Sequence, residues 1–330
     1  ISPENDQSYR YSWGLKDGTG GDELFLRSDF RMPSAGGALY HESNYTLGRW
    51  RFTAGLRFDF EHARLRYRNY TDTWYTKTHI KNETAYERPI DIDDRSTLKQ
   101  TFTELLPKFS VMYSFDETRN LYLTIAKGYK SGGFNTQIFS DVLQQKMMNR
   151  MGIGEVYDVQ RGVAYKPEYS WNYEIGGHFS CMEGAVRGDF ALFYIDCRDQ
   201  QLTVFPPGQT TGRMMTNAGR TRSLGAEAAV QISPWRTFDI NLAYGYTDAR
   251  FVRYETTVKN DDGDPVRISY KDNRIPYAPQ HTLSAGAAWT VPTGVKWLGD
   301  LVFQAGVRCA GRIWWNEENT LSQPFYALTD

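Results

Sequence analysis

From residue 237 to 249 the chain alternates without a break. Phe238, Ile240, Leu242, Tyr244 and Tyr246 fall on one side of a period-two pattern, and Asp239, Asn241, Ala243, Gly245 and Thr247 on the other. Successive side chains of a strand point to opposite faces, so this spacing predicts a strand with one apolar and one polar or small face. Upstream, Arg222, Leu224, Ala226, Ala228, Val230 and Ile232 alternate with Thr221, Ser223, Gly225, Glu227, Ala229 and Gln231. Ser233-Pro234-Trp235-Arg236 separates the two runs, which predicts a long antiparallel hairpin. Its strands outrun the usual globular length and match the roughly 9–11 residues a tilted strand needs to cross a bilayer.

The same pattern returns at Trp50, Phe52, Ala54, Leu56, Phe58 and Phe60, at Trp171, Tyr173, Ile175 and Phe179, and at Leu283, Ala285, Ala287, Trp289 and Val291. Further strands are expected over 23–32 and 38–47. The connections then alternate in length. Short ones fall at 48–49, 115–120, 181–184, 233–236 and 292–299; long ones at 68–98, 131–165, 200–216, 253–276 and from about Arg312. A soluble sandwich has no reason to place its long connections at one end, whereas outer-membrane barrels have short periplasmic turns and long extracellular loops. The expected fold is all-β: a segment of an antiparallel transmembrane β-barrel, with residues 38–47 running down to the periplasm and 50–67 running back up. About a dozen strands leave two open sheet edges, and the chain begins Ile1-Ser2-Pro3-Glu4, so a piece of a longer protein is expected.

Composition narrows the function. Lys plus Arg (38) balance Asp plus Glu (39), which gives no electrostatic footprint for nucleic acid. Mean hydropathy is −0.58, and no apolar run is long enough for a membrane helix. Aromatics reach 15%, enough to supply interfacial girdles. Cys181, Cys197 and Cys309 form no paired framework. Ser140 is a candidate helix cap before Val142, Leu143, Met147 and Met151, with Gly152 as the stop. Met147, Met148 and Met151 at that spacing read as packing rather than copper ligands. The turn Asp261-Asp262-Gly263-Asp264 lacks the liganding Glu of a calcium loop. The five histidines show no ligand spacing, and there is no nucleophile elbow or phosphate loop. The expectation is no enzyme, no catalytic residue, no metal and no cofactor.

Four blocks carry a family resemblance: residues 121–135 (LYLTIAKGYKSGGFN), 165–176 (YKPEYSWNYEIG), 217–227 (NAGRTRSLGAE) and 276–283 (PYAPQHTL). In this order they resemble TonB-dependent outer-membrane receptors. The resemblance implies a barrel of roughly 22 strands around an N-terminal plug, of which this chain supplies about 12. On that view residues 1–330 are partial barrel. The plug, its TonB box, the first strands and the last strands lie outside it. The implied function is active import of a scarce nutrient, a ferric-siderophore-type chelate, across the outer membrane of a Gram-negative cell with energy from the TonB complex. Haem receptors of the family carry a different motif where this chain has Tyr129-Lys130-Ser131-Gly132. The implied ligand contacts are Tyr129, Lys130, Asn135, Arg198, Gln200, Gln201 and Arg213, a cationic and amide-rich extracellular rim suited to an anionic complex. The implied partners are the TonB complex, the chelate and membrane lipid. The rival readings are a passive porin or adhesin-type barrel and a soluble β-rich carbohydrate-binding protein.

Overall fold

The computed structural model describes residues 9–13, 27–152, 159–204, 214–259, 265–295 and 297–330. Its main element is one antiparallel sheet of 13 strands. From Ser34–Leu47 onward the long strands are Trp50–His79, Ala85–Ser114, Asn120–Lys130, Glu168–Cys181, Val186–Val204, Met214–Trp235, Phe238–Arg253, His281–Val291 and Leu301–Ala310. Each pairs with its neighbour in sequence, and Tyr326–Thr329 closes the series against Leu301–Ala310. The short strands Tyr9–Trp13 and Arg27–Arg31 pair with the upper part of Trp50–His79, as Ser34–Leu47 does lower down. The sheet does not close on itself.

The alternation has a physical cause visible in the register. Val230 lies opposite Leu242, which lies opposite Ala285, so the outer face is continuous across three strands. On that face Leu56 is 49% exposed, Leu192 52% and Leu242 43%. Such exposure of aliphatic side chains over a whole sheet face fits hydrocarbon, not water. Aromatic clusters mark its periplasmic edge. Trp50 sits 4.7 Å from Tyr113, Trp235 5.3 Å from Phe238 and Trp289 6.1 Å from Phe303, between ring centres. The other face carries Asn120, His178, Asp189, Gln231, Asn241, Ser284 and Arg308 around a hollow of about 870 Å³. Lipid outside and water inside thus impose the period of two. Residues 48–49 make the tightest turn, with Gly48 at φ +58°, which a two-residue hairpin turn asks of its first central residue.

Three expectations are corrected. The connection at 68–98 is not a loop: the flanking strands pair on as far as Thr78 opposite Ala85, forming a ribbon that projects beyond the membrane. Its inner face stays apolar and buried at Leu65, Tyr67, Ile90 and Ile92, which is why the ladder continues despite the charges between them. The 253–276 connection likewise contains a hairpin, Glu255–Lys259 with Pro265–Ser269, while the 261–264 turn lies outside the described residues. The helix in 131–165 runs Phe139–Arg150, and Ser140 does not cap it. Ile138 holds the cap position without a side-chain hydrogen bond. Gly152 does follow its end at φ +77°. Phe139 and Val142 pack on Leu65 and Tyr67, while Leu143, Met147 and Met151 pack on Ile90 and Ile92. The helix therefore plugs the concave side of the ribbon, and its buried methionines are packing residues.

Candidate ligand-binding rim

The upper inner wall is built where the Asn120–Lys130 strand ends. It is paired with Ala85–Ser114 only up to Ala126 opposite Lys108; the next residue, Pro107, has no N–H to give. Beyond that point it pairs with Glu168–Cys181 alone. This freed end brings Lys127 onto Glu104 as an ion pair and 5.5 Å over the Tyr169 ring. Tyr129 and Lys130 then border an open hollow lined by Arg57, Asp59 and Glu61 of the neighbouring inner wall. The Tyr129 hydroxyl is buried there with no partner among the described residues. An unpaired buried hydroxyl costs free energy, so the arrangement suits a group that arrives to complete it.

The amides are used differently. Asn135 donates through Nδ2 to the Met215 carbonyl at 2.8 Å and accepts from the Met215 N–H at 2.7 Å. Gln201 donates through Nε2 to the Ser131 and Lys166 carbonyls at 2.7 and 3.1 Å, and its backbone N–H donates to Glu168 at 2.7 Å. Asn217 donates to the Lys166 and Asp199 carbonyls at 2.9 and 2.8 Å. Gln200 accepts a hydrogen bond from Thr221. Both Asn135 and Gln201 are buried. Asn135, Gln201 and Asn217 tie the 131–167 connection to the strands at 199–217, each supplying a partner that the backbone of an irregular segment lacks.

Arg198 sits elsewhere. It shares the parity of Phe190, Leu192 and Tyr194, but the register also sets it opposite Tyr169, which stands opposite Tyr129, so it lies on the sheet face of Tyr129 two strands along. Its side chain is 69% exposed, 3.9 Å from Asp196, and does not line the hollow. Asp199, at φ +52°, then breaks the alternation, so Gln200 turns inward to Thr221. Arg213 lies outside the described residues. The structure therefore gathers Tyr129 and Lys130 at the hollow, puts Asn135, Gln200 and Gln201 in its supporting framework, and leaves Arg198 outside the hollow's lining. It adds Arg57, Glu61 and Glu104, which inner-face parity could have found, and Lys127 and Tyr169, which carry the parity of the outward Leu123, Ile125 and Tyr173 and which parity would have missed. The resulting wall is of mixed charge: Lys127 meets Glu104, and Arg57 meets Asp59 at 2.8 Å.

A second tied cluster caps the next loops. Tyr270 donates to Glu318 at 2.8 Å, Asn273 to the Glu317 carbonyl at 2.9 Å, and Asn319 exchanges hydrogen bonds with the Arg274 backbone. Burial, with Glu317 and Glu318 nearby, pushes the Tyr254 hydroxyl up to about 12. Burial and then the neighbouring Glu318 also raise the Glu317 carboxyl above its usual range.

An open antiparallel sheet with a lipid-compatible outside, a polar inside, short turns at one edge and structured loops at the other is a section of an outer-membrane β-barrel. Comparison with known proteins makes this specific. The family model for TonB dependent receptor-like β-barrels matches residues 4–330, and the chain belongs to that family. It is 26% identical over 234 residues to the pesticin receptor of Yersinia enterocolitica, covering 70% of this chain and 29% of that protein. It is 24% identical over 261 residues to the ferrioxamine receptor of the same species, covering 78% and 30%. Among solved structures, the ferric yersiniabactin uptake receptor FyuA of Yersinia pestis shares the fold at a TM-score of 0.60 and 20% identity, covering 93% of this chain and 39% of that one. The siderophore receptor PiuA of Acinetobacter baumannii does so at 0.61 and 16%, covering 91% and 36%. The chain spans about 30% of the length of the curated relatives it matches. The family is one of receptors and transporters, not enzymes.

Proposed function

We propose that this chain forms part of the barrel wall and ligand mouth of a receptor that imports a ferric-siderophore-type chelate, driven by the TonB complex through a plug supplied by the rest of the protein. One observation carries the reading: the unpartnered Tyr129 hydroxyl beside Lys130, Arg57 and Glu61, on the extracellular half of the lumen wall. A ferric chelate offers oxygen acceptors and commonly a net charge. A phenol donor, an ammonium and a guanidinium hold such groups by charge-assisted hydrogen bonds. The names of its relatives support the same class, since ferrioxamine and ferric yersiniabactin are both iron chelates. Asn135, Gln200 and Gln201 serve here by holding the rim in shape, and Arg198 and Arg213 remain candidate contacts.

The test is tryptophan-fluorescence titration of the full-length receptor with a panel of ferric chelates, followed by Tyr129→Phe and Lys130→Gln. A chelate bound by the parent and at least tenfold more weakly by both variants supports the site, as loss of a hydrogen bond to a charged group predicts. Unchanged affinity in both variants would remove Tyr129 and Lys130 from the ligand's path. Failure of every ferric chelate, with uptake of another nutrient class, would overturn the substrate assignment.

A further inference from the structure

The outward side of the projecting ribbon carries a charge pattern that import does not use. Leu65, Tyr67, Asn69 and Thr71 are buried on its inner side, so the residues between them face away from the lumen. Those are Arg66, Arg68 and Tyr70, and with Arg64 just before Leu65 they continue the outward side directly beyond the lipid-facing Phe58 and Phe60. The register sets Arg64 opposite Lys99, Arg68 opposite Arg95, and Arg66 opposite Arg31 of the adjoining short strand. Like charges directly opposite each other in a sheet are destabilising. Asp93 answers only one of these three pairs, bridging Arg68 at 2.8 Å and Arg95 at 2.7 Å. Arg31, Arg66 and Lys99 meet no carboxylate among the described residues, and Arg64 donates to His62 at 2.8 Å. Elsewhere on the outer face several arginines are matched: Arg220 meets Asp196 at 2.6 Å, and Arg250 and Arg274 both meet Asp248 at 2.9 Å, while Arg222, opposite Arg250, meets no carboxylate among the described residues.

Arg31, Arg66 and Lys99, left without carboxylates just past an apolar band although Asp29 and Asp93 flank Arg68, call for anions from outside the chain. At that height the anions in reach are lipid headgroups, roughly 13 Å along the strand from Phe60 to Arg64. We propose that this face binds the phosphate-bearing headgroup of an outer-leaflet lipid. Arg64, Arg66, Arg31 and Lys99 grip the phosphate, and the acyl chains lie along Phe58, Phe60 and Leu105. Planar guanidinium groups suit phosphate by paired N–H donors, and two strands of them hold it from both sides.

The experiment is native mass spectrometry of the full-length receptor in detergent with phosphatidic acid or phosphatidylcholine added. The unaltered receptor should retain phosphatidic acid at least tenfold better. Arg66→Gln with Lys99→Gln should weaken that retention about 25-fold, near fivefold for each basic residue lost. Arg236→Gln, in a periplasmic turn, should leave it intact. Equal retention of the two lipids, or undiminished retention in the double variant, overturns the site. Inorganic phosphate displacing the lipid at equal concentration would show that free phosphate, not lipid, is the ligand. Should the double variant fail to give a heat-modifiable band, Arg31→Gln and a salt titration of the unaltered receptor decide. Retention must fall in both, and insensitivity to 0.5 M salt is refuting, because exposed ion pairs are screened there.

Discussion

Leu242→Arg tests the assignment of faces most sharply. Leu242 lies four residues from Phe238, at the periplasmic aromatic edge, and four from Tyr246, beyond which the outward positions become Asp248 and Arg250. At about 3.3 Å per residue each half is roughly 13 Å along the strand, or about 10 Å of depth for a strand tilted near 40°. Leu242 is therefore close to the midplane. Its side chain is 43% exposed and borders Val230 and Ala285, so a guanidinium there has no polar neighbour on either adjoining strand. Arginine on the lipid face at that depth costs about 2–4 kcal/mol, a factor of roughly 30 to 900 in the folded-to-unfolded ratio. Asn241→Arg, one residue away, points into the polar hollow beside Gln231 and Gly286, and should cost no more than about 0.5 kcal/mol.

The assay is heat-modifiable gel mobility of the full-length receptor refolded into lipid vesicles across a urea series. The expected result is a folded band that vanishes at much lower urea for Leu242→Arg and stays near the parent for Asn241→Arg. If the two variants lose the folded band together, the assignment of faces is refuted; if Asn241→Arg loses it first, the register is shifted by one residue and every lumen and lipid assignment above reverses, since a one-residue slip exchanges the faces.

Asn135→Ala removes a two-way clamp on Met215, so it should loosen the 131–165 connection by about 1–3 kcal/mol, read as faster amide exchange in the Phe139–Arg150 helix with the barrel intact. Glu317→Gln concerns a carboxyl whose pKa is raised by burial. Such a group favours the folded loop fully below its ordinary range, and that contribution is lost as pH rises through the raised value. The variant should therefore resist limited proteolysis at 312–325 better than the parent at pH 7 and equal it near pH 4; a parent more resistant at neutral pH would contradict this. Gly225→Val places a branched side chain where a Cβ would collide with the Phe193 ring and the Tyr246 carbonyl. It should lower the stability of the barrel by about 1–3 kcal/mol, read as a lower urea midpoint, and a double variant with Phe193→Ala should recover part of that loss.

The strands were legible because two solvents write on one ladder. Hydrocarbon on one side and water on the other force a period of two, and Phe238 through Tyr246 displays it with no tertiary information. Above the membrane that contrast ends, and the reading of 68–98 as a loop failed for the same reason. Asp91 and Asp93 look like loop residues by composition, yet Ile90 and Ile92 keep the alternation, and only the packing of Leu143 and Met147 shows what buries them. Counting by twos from Phe190, Leu192 and Tyr194 gives Arg198 the lipid-side parity, but the same count from Leu121, Leu123 and Ile125 gives it to Tyr129 as well, so parity alone does not sort the rim. The inward turn of Gln200 was not legible, because it depends on the positive φ of Asp199. Asn135 and Gln201 expose a deeper limit. An amide that serves a ligand and an amide that serves a stranded carbonyl are the same residue in a sequence. Only the position of the Met215, Ser131 and Lys166 backbone tells them apart. Tyr129 is the converse: nothing in its neighbours' identities announces a buried hydroxyl without a partner, and that vacancy in the hydrogen-bond accounting is what makes it the residue to mutate first.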